Sequence, residues 1–375
     1  MTDQEYMLRA IQLAKKGEGW TNPNPMVGAV IVKDGKIIGE GYHKKYGELH
    51  AERNAIASLT ESAEGAVIYV TLEPCCHHGK TPPCTEAIIE QKIRKVVIGS
   101  RDPNPKVAGK GVQMLREAGV TVVEDFMREE CDQLNPVFFH YITMKTPYVV
   151  MKYAMTLDGK IATKTGASKW ITGESARKEV QHMRHQYMGI MAGVGTVLAD
   201  DPMLNVRVEG WKSPVRIVCD SKLRIPPGSQ IVKSAEKYRT IVAYAEQKNA
   251  KEKIKILHTM GVETIYCPDE KNQIDLKKLM ADLGNRGIDS ILLEGGGTLN
   301  DSALRAGIVK EVQAFVAPKL FGGVAGKTPV EGIGVEFPSE AVELKYIDIC
   351  QIGEDIRIRC QVCEKKQEES CLQES

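Results

Sequence analysis

The sequence has almost no excess of charge of either sign. Its 375 residues include 50 Lys and Arg against 49 Asp and Glu, a formal net charge of +1. A protein that holds long nucleic acid normally carries a basic excess, because contacts to phosphates supply most of the non-specific affinity. The balance therefore argues against a nucleic-acid partner and favours a small-molecule substrate.

Long apolar segments are also missing. No uninterrupted apolar run reaches the roughly 20 residues that a membrane helix needs. Residues 1–5 contain neither a basic nor an apolar segment, so we expect no secretory signal peptide. The ten cysteines are spread through a long chain and do not look like a disulfide framework. We therefore expect no membrane partner and a cytoplasmic protein, whose thiols stay reduced and available for a metal.

The length exceeds that of one ordinary hydrophobic core and suggests two domains. Apolar runs alternate with helical stretches in both halves, which predicts an α/β fold, with a three-layer sandwich around one sheet in the first half. A break falls near Pro147, because proline disfavours helix at the residue before it. We predict domains over residues 1–145 and 146–363 and a disordered tail over 364–375. The predicted strands are 27–32, 37–38, 66–70, 96–99, 120–123, 148–151, 190–192, 215–219, 240–243 and 290–293. The predicted helices include 125–135, 174–183, 251–260 and 276–283.

The strongest chemical motif is His50-Ala51-Glu52, followed by Pro74-Cys75 and then by Cys84. One imidazole and two thiolates are a zinc ligand set that leaves the fourth position open, as in catalytic zinc sites. His-x-Glu with Pro-Cys-x-x-Cys is the signature of zinc deaminases, in which zinc activates a water and the glutamate transfers protons. Here eight residues, rather than two, separate the cysteines. We predict that His50, Cys75 and Cys84 bind one Zn²⁺ and that Glu52 is the catalytic residue.

The residues after His50 and after Cys84 both have the pattern of helix starts, and positive helix N-termini favour thiolates. A closed structural zinc site is the alternative, with Cys76, His77 or His78 as a fourth ligand. Such a site would belong to a zinc-stabilised binding protein rather than to an enzyme.

The insertion between the cysteines carries a family resemblance. Residues 73–84 with their Cys-Cys-His-His-Gly-Lys-Thr-Pro-Pro-Cys run, residues 21–30 with Asn-Pro-Asn-Pro, and the His50 motif together closely resemble the bifunctional deaminase/reductase family of riboflavin biosynthesis. Residues 151–160 resemble the opening of the family's reductase domain. The resemblance covers residues 1–363. It implies a cytidine-deaminase-like three-layer α/β/α domain and a C-terminal α/β domain with the fold of dihydrofolate reductase.

The resemblance implies two consecutive reactions. The first domain would deaminate 2,5-diamino-6-(5-phosphoribosylamino)pyrimidin-4(3H)-one. The second would reduce the ribosyl group with NADPH, giving 5-amino-6-(5-phosphoribitylamino)uracil. The rival functions are a nucleic-acid or nucleoside deaminase with an appended domain, and a deaminase whose reductase half has lost activity. Near-zero net charge argues against the first rival, and the intact Glu294 with its glycine turn argues against the second.

The resemblance also implies deaminase substrate contacts. Asn24 lies between two prolines, in a rigid loop able to hold an amide against a pyrimidine edge. Asn alone is more often a turn residue. Charged donors near the metal suit a phosphate. The implied substrate-binding residues are Asn24, His43, His77, Lys80 and Asp102.

In the second half the main signal is Glu294 followed by three glycines, where a buried strand meets a helix beginning at or soon after Thr298. Glycines let backbone N–H groups approach a phosphate, and a helix start adds positive potential. The implied NADPH contacts are Ala154, Trp170, Thr196, Asp200, Ser221, Gly296, Gly297, Thr298, Leu299, Asn300, Asp301 and Ser302. The implied substrate contacts are Lys152, Ser168, Arg184, Leu204, Arg207 and Glu294.

Four further expectations follow from the sequence and the resemblance. Lys222 and Arg224 could favour the 2′-phosphate of NADPH, and either Lys152 or Asp200 could assist opening of the sugar ring. Cys360-x-x-Cys363 has no partner pair nearby, so we interpret it as part of a terminal strand rather than as a metal site. Joined α/β domains offer suitable surfaces, and the family is commonly oligomeric, so we expect a homo-oligomer.

Overall fold

The computed structural model describes residues 1–78, 82–104, 107–246 and 250–363, and these form two sheets with helices on their faces. The predicted tail over 364–375 lies outside the described residues. The strands of the N-terminal sheet are β1 Gly28–Lys33, β2 Lys36–Tyr42, β3 Val67–Leu72, β4 Lys95–Ser100 and β5 Thr121–Val123. The accompanying helices are α1 Asp3–Ala14, α2 Ala51–Ala57, α3 Cys84–Glu90, α4 Lys110–Glu117, α5 Arg128–Asp132 and α6 Pro136–Met144, with a 3-10 turn at Lys15–Gly17.

The N-terminal sheet has the order β2-β1-β3-β4-β5, with β1 antiparallel to both neighbours and β3, β4 and β5 parallel. Successive side chains of a strand face opposite sides of its sheet. Accordingly, Ala29 and Ile31 pack with α2, α3 and α4, whereas Val30 and Val32 pack with α1. The predicted three-layer sandwich is confirmed.

The C-terminal sheet has nine strands among the described residues, in the order β10-β9-β8-β7-β11-β6-β12-β14-β13. Its strands are β6 Tyr148–Thr156, β7 Gly189–Gly193, β8 Val215–Cys219, β9 Thr240–Tyr244, β10 Val262–Tyr266, β11 Ser290–Leu293, β12 Val309–Ala317, β13 Leu344–Ile352 and β14 Asp355–Val362. Its helices are α7 Glu174–Gln186, α8 Val194–Asp200, α9 Gln230–Lys233, α10 Ala250–Thr259, α11 Leu276–Asn285 and α12 Gly297–Arg305, with a 3-10 turn at Pro338–Glu340. None of the helices in the described part of the chain has the length and apolar character needed to cross a membrane.

The first seven strands in this order, β10-β9-β8-β7-β11-β6-β12, are parallel to one another. The last two differ, because β14 runs antiparallel to both β12 and β13. The carboxyl ends of parallel strands meet at one edge, which is where α/β sheets bind ligands. Strands β6, β8 and β11 end at this edge. The residues that follow β8 and β11 include Ser221 and Glu294, two of the predicted contacts.

The predicted helix over 125–135 is wrong in extent. Helix α5 covers Arg128–Asp132 only, because Asp125 and Met127 have left-handed backbone angles, with φ of 58° and 53°. A separate helix, α6, follows at Pro136. Asn followed by Pro is a helix-start signal that the sequence does contain.

Three strands of the C-terminal sheet, β10, β12 and β13, do not appear among the strands predicted above. The most buried of them, β12, carries polar residues within its apolar pattern. Glu311 and Gln313 are 2% and 4% exposed, and Glu311 accepts hydrogen bonds from Gln313 Nε2 at 2.8 Å and from Arg359 Nε of β14 at 3.0 Å. Glu311 is thus a buried polar residue paired with the half-buried Arg359 of the neighbouring strand, and such residues make a core strand look polar in the sequence. The strand expected around Cys360 is present as β14.

Candidate active sites

Three candidate zinc ligands converge where α2 and α3 begin. His50 immediately precedes α2, Cys84 is the first residue of α3, and Cys75 follows β3. Nδ1 of His50 lies 3.5 Å from Sγ of each cysteine, and all three donor atoms lie within 4.8 Å of one another. Zinc bond lengths of about 2.0 Å to nitrogen and 2.3 Å to sulfur place two tetrahedral ligands about 3.6 Å apart. The donor atoms and their spacing therefore fit one Zn²⁺.

Backbone and arginine hydrogen bonds hold this cluster together. The N–H of Cys84 donates to the carbonyl of Cys75 at 3.0 Å and lies 3.4 Å from its Sγ. Arg53 of α2 donates from Nε to Pro82 O at 3.0 Å and from Nη2 to Pro83 O at 2.7 Å. The residue next to Glu52 thus fastens the segment that leads into Cys84, so the two helix starts cannot move apart independently.

The described residues provide no fourth ligand for a closed structural zinc site, the alternative considered above. Among the residues that the structure describes, the donor group contains His50, Cys75 and Cys84 and no fourth member. His78 instead lies 3.8 Å from Glu86, in an exposed ion pair. Three ligands with an open fourth position are the arrangement of a catalytic zinc site.

Burial changes the ionisation of the groups around the ligands. Glu52 is 3% exposed; burial, followed by the negative charge of Cys75, raises the pKa of its carboxyl to about 7. A divalent cation beside the carboxyl acts in the opposite direction. The hydrogen bond between the two thiols lowers the pKa of Cys75. A carboxyl with a pKa near neutrality is suited to gain and lose a proton.

The cluster opens into a cavity of about 250 Å³. The cavity is lined by all the described residues that the sequence predicted for the deaminase site except Cys84, which is fully buried behind it. Lys80 lies outside the described residues. Their individual roles stay predictions. The predicted residues that line it are Asn24, His43, His50, Glu52, Cys75, His77 and Asp102.

His43 and Asn24 form a connected pair on the cavity wall. Nδ1 of His43 lies 3.1 Å from Leu49 O, and its Nε2 lies 3.2 Å from Asn24 Nδ2. Burial lowers the pKa of His43, so the neutral ring is favoured. A neutral ring with its proton on Nδ1 donates to Leu49 and accepts from Asn24. The amide oxygen of Asn24 then remains as an acceptor.

Several cavity residues were missed by sequence reasoning. Phe138 comes from α6, a helix that was not predicted from the sequence. The others lie in loops, apart from Leu72 at the end of β3, and Pro25, Val27 and Glu73 fall within the quoted motifs without having been assigned to the site. Glu73 has a structural role, because its carboxylate accepts the N–H groups of Gly109 at 3.1 Å and Val112 at 3.3 Å where α4 begins. The missed residues are Pro25, Val27, Tyr46, Gly47, Glu48, Leu72, Glu73, Asn104, Val107 and Phe138.

The second candidate site centres on a buried ion pair. Arg184 of α7 donates from Nε and Nη2 to the Glu294 carboxylate at 2.8 and 2.9 Å, and the two side chains are 13% and 14% exposed. Burial alone would raise the pKa of Glu294, but Arg184, Lys152 and Arg207 outweigh it and lower the pKa to about 2. Glu294 therefore stays a carboxylate at neutral pH. Burial lowers the pKa of Lys152.

The register of the strands explains why these groups meet. Met151 of β6 pairs with Leu293 of β11, so Lys152 and Glu294 are the next residues along two neighbouring parallel strands. Glu294 N also donates to Met191 O at 2.9 Å, which ties it to β7. The carboxylate is thus placed by the sheet itself.

The other predicted reductase residues lie in several elements and divide by exposure into a larger accessible group and three buried residues. Ala154 lies on β6, Thr196 and Asp200 on α8, and the remainder lie in loops or at the start of α12. Asn300 is fully buried and donates to Pro329 O at 2.8 Å, so its amide holds a loop rather than facing solvent. Exposed or half-buried positions belong to Ala154, Ser168, Trp170, Thr196, Asp200, Arg207, Ser221, Gly296, Thr298, Leu299, Asp301 and Ser302, whereas Leu204, Gly297 and Asn300 are buried.

Comparison with known proteins gives one consistent result. Residues 1–100 match the family model of the cytidine and deoxycytidylate deaminase zinc-binding region, and residues 147–358 match that of the RibD C-terminal domain. The riboflavin biosynthesis protein RibD of Actinobacillus pleuropneumoniae is 58% identical over 356 residues, covering 95% of this chain and 94% of that protein.

Solved structures agree over the whole length. Acinetobacter baumannii RibD, form 1, superimposes with a TM-score of 0.86 at 38% identity, covering 96% of this chain and 99% of that one. A diaminohydroxyphosphoribosylaminopyrimidine deaminase/5-amino-6-(5-phosphoribosylamino)uracil reductase from Thermotoga maritima gives 0.85 at 40% identity, covering 96% and 98%.

The ligand geometry predicts how zinc content responds to substitution. Cys75→Ser and Cys84→Ser should each reduce bound zinc from near one per chain to a small fraction, because a hydroxyl is a poor replacement for a thiolate ligand. Elemental analysis of the purified, dialysed proteins measures this. Cys363→Ser, at an exposed cysteine, is the matched control and should keep its zinc. Full zinc content in Cys75→Ser or Cys84→Ser would exclude that thiol as a ligand.

Proposed function

The chain belongs to the RibD family of riboflavin biosynthesis, whose members join a zinc-dependent deaminase to an NADPH-dependent reductase, and from this we propose a role for each of its site residues. We assign deamination of 2,5-diamino-6-(5-phosphoribosylamino)pyrimidin-4(3H)-one to residues 1–145 and reduction of the ribosyl group to residues 146–363. The product is 5-amino-6-(5-phosphoribitylamino)uracil. The observation that carries the proposal is the three-donor cluster with Glu52 opening into a cavity lined by Asn24 and Asp102.

In the deamination, Glu52 is the residue that moves protons. Zinc, when bound, lowers the pKa of a water at its fourth position and so supplies the nucleophile. Glu52 takes a proton from the attacking water, passes it to the ring nitrogen and assists the departure of ammonia. Its burial supports this role, because a carboxyl screened from solvent exchanges protons with the substrate rather than with bulk water.

Polar groups around the cavity orient the pyrimidine and its phosphate. Asn24 donates to His43, so its amide oxygen is available to accept from a pyrimidine N–H. Asp102 is 8% exposed, and burial raises the pKa of its carboxyl to about 6 while Asn104 N donates to it at 2.8 Å. It contributes a second acceptor for the pyrimidine. His77 and Lys80 are assigned to the ribose phosphate by resemblance, because cationic donors suit that group.

In the reduction, NADPH supplies the hydride and the chain orients the sugar. Glu294 accepts hydrogen bonds from the ribose hydroxyls, while its ion pair with Arg184 fixes its direction. Lys152 is half-buried beside this pair, whereas Asp200 is exposed at the end of α8. We therefore assign proton transfer during ring opening to Lys152 rather than to Asp200. Ser168, Leu204 and Arg207 complete the substrate contacts.

The start of α12 is the proposed binding site for the NADPH phosphates. Gly296 precedes the helix, and a Cβ on Gly297 would come within 2.4 Å of Glu331 Cγ, so glycine is needed for this close packing. Backbone N–H groups at a helix start are well placed for phosphate oxygens. The same helix start includes Thr298, Leu299, Asp301 and Ser302. Asn300 acts indirectly, through its hydrogen bond to Pro329 O. Ala154, Trp170, Thr196, Asp200 and Ser221 are assigned to the rest of the cofactor.

The exposed Lys222 and Arg224 lie close to Ser221 and are assigned to the 2′-phosphate that distinguishes NADPH from NADH. Guanidinium and ammonium groups are the usual partners of such a phosphate.

We propose a cytoplasmic location and a homo-oligomer. Zinc-binding thiols require a reducing compartment, and the described cysteines form no disulfide. The edge strand β13 and its neighbour expose large apolar side chains, a surface that another chain would cover. These side chains are Leu344, Tyr346, Ile347, Ile349 and Ile356. An edge strand related to itself by a two-fold axis pairs isologously, so a second copy of the chain is the proposed partner.

Glu52→Gln should abolish ammonia release while zinc content stays near one per chain. The amide keeps the shape of the side chain but cannot carry the proton, so we expect a loss of at least about 10²-fold in kcat for deamination. Coupled detection of ammonia measures this, and Glu90→Gln on the exposed end of α3 is the control. Retained turnover in Glu52→Gln would remove Glu52 from the mechanism.

Glu294→Gln should slow NADPH oxidation with the deaminated intermediate by about 10²-fold or more, because Arg184 and Lys152 lose their buried counter-charge. Deamination by the same preparation should remain within twofold of the parent. Glu174→Gln, on the exposed first turn of α7, is the matched control. Equal loss of both activities would indicate a folding defect of the variant, whereas unchanged NADPH oxidation would contradict the assignment of Glu294 to reduction.

Ile349→Lys should shift the chain towards the monomer in size-exclusion chromatography with light scattering, because a charge in an apolar contact is costly. Ile256→Lys, at an exposed position on α10, should leave the assembly unchanged. A monomeric parent protein at micromolar concentration would contradict the proposed homo-oligomer.

A further inference from the structure

Residues 20–26 form a loop that lies between the two halves of the chain, and we call it the 20–26 loop. It presents Asn24 to the deaminase cavity and closes on itself through a hydrogen bond from Asn24 N to Thr21 O at 2.8 Å. It contains no helix or strand of its own. The position of Asn24 therefore depends on what anchors the loop on either side.

One anchor belongs to the deaminase half. The amide of Asn135 accepts from Met26 N at 2.7 Å and donates to Met26 O at 2.9 Å, so it pairs with the backbone as a neighbouring strand would. Asn135 is 4% exposed. The C-terminal end of the loop is thereby fixed beside α6.

The other anchor belongs to the reductase half. Asn22 donates from Nδ2 to Asp289 Oδ2 at 2.9 Å, across 267 positions of sequence. Asp289 is 1% exposed, and its other oxygen accepts from Ser290 Oγ, at the start of β11. The same strand ends next to Glu294. A carboxylate this deeply buried needs its hydrogen-bond donors, because an unsatisfied buried charge is costly.

A second contact with the reductase half supports the 20–26 loop. The ring of Trp20 packs on His185 of α7 with centroids 4.7 Å apart, and Trp20 O accepts from the N–H of Tyr46, a residue of the cavity wall. The reductase half thus touches the loop at two points, Trp20 and Asn22. Both lie within four residues of Asn24.

We infer that Asp289 is a positioning residue for the deamination, acting through Asn22 to hold Asn24 in place. The inference rests on the proposed function, since it takes Asn24 as a contact to the pyrimidine. The deaminase substrate site is then completed by the reductase half rather than built by residues 1–145 alone. Loss of the anchor weakens substrate binding and leaves the zinc cluster and Glu52 intact.

The test measures KM and kcat for deamination in the full-length zinc-loaded protein. Asn22→Ala and Asp289→Ala should each raise KM by roughly fivefold or more, the effect of losing one hydrogen bond to a charged group. The kcat values should stay within twofold of the parent, and zinc content near one per chain. The double variant should be no worse than the stronger single variant, because both substitutions remove the same contact.

Conservative and control variants separate this role from a general loss of stability. Asp289→Asn should retain most of the parent affinity, because its amide oxygen still accepts from Asn22 and its amide nitrogen donates to Ser290. Asn135→Ala, at the other anchor, should also raise KM. The reductase rate of Asn22→Ala with the deaminated intermediate should be unchanged, because its side chain contacts no predicted reductase residue.

The outcomes distinguish this inference from the function on which it rests. If Asn24→Ala raises KM but Asn22→Ala and Asp289→Ala do not, the inference is overturned and the proposed function stands. If Asn24→Ala itself has no effect on KM, the role of Asn24 fails and the inference fails with it. Additive effects in the double variant would also overturn it, because they would mean that Asn22 and Asp289 act separately.

Discussion

The convergence of two helix starts on three donor atoms is the constraint on which the deaminase half depends. His50 immediately precedes helix α2, Glu52 lies in its first turn, and α3 begins with Cys84. Arg53 fastens the approach to α3, and the backbone of Cys84 is bonded to that of Cys75. The ligand spacing is thus supported by secondary structure and by backbone hydrogen bonds, which is the preorganisation that an open zinc site requires.

The reductase half follows a different principle, in which the sheet places the charges. Lys152 and Glu294 follow paired residues of β6 and β11, and Arg184 reaches the same carboxylate from α7. Arg184 and Glu294 are largely shielded from solvent and Lys152 is half-buried, so their mutual interactions are strong and their neighbours influence their ionisation. A carboxylate held in one direction by a bidentate arginine is well suited to orient sugar hydroxyls.

Sequence reasoning recovered what depends on local signals. The His50 motif, the cysteines and the glycine turn after Glu294 each lie near the start or end of a strand or helix. The structure gathers the three predicted zinc ligands into one cluster and brings the other described deaminase residues to the adjoining cavity. Contacts between segments that are distant in the sequence could not be predicted in this way. No local sequence pattern predicts the Asn22–Asp289 hydrogen bond. Strand β12 was not predicted because Glu311, which pairs with Arg359, makes its sequence look polar. Phe138 was missed because helix α6 was not predicted, although Asn135-Pro136 is a helix-start signal present in the sequence.

The central claim is that one chain carries out deamination and then reduction on the same phosphoribosyl pyrimidine. The most direct measurement supplies the zinc-loaded protein with the diaminopyrimidinone substrate, with and without NADPH, and follows the products by mass. Without NADPH, the deaminated compound should accumulate with its ribosyl group intact. With NADPH, the ribityl product should replace it, with one NADPH consumed per molecule. Failure to deaminate the substrate, or accumulation of the ribosyl intermediate despite excess NADPH, would contradict the account.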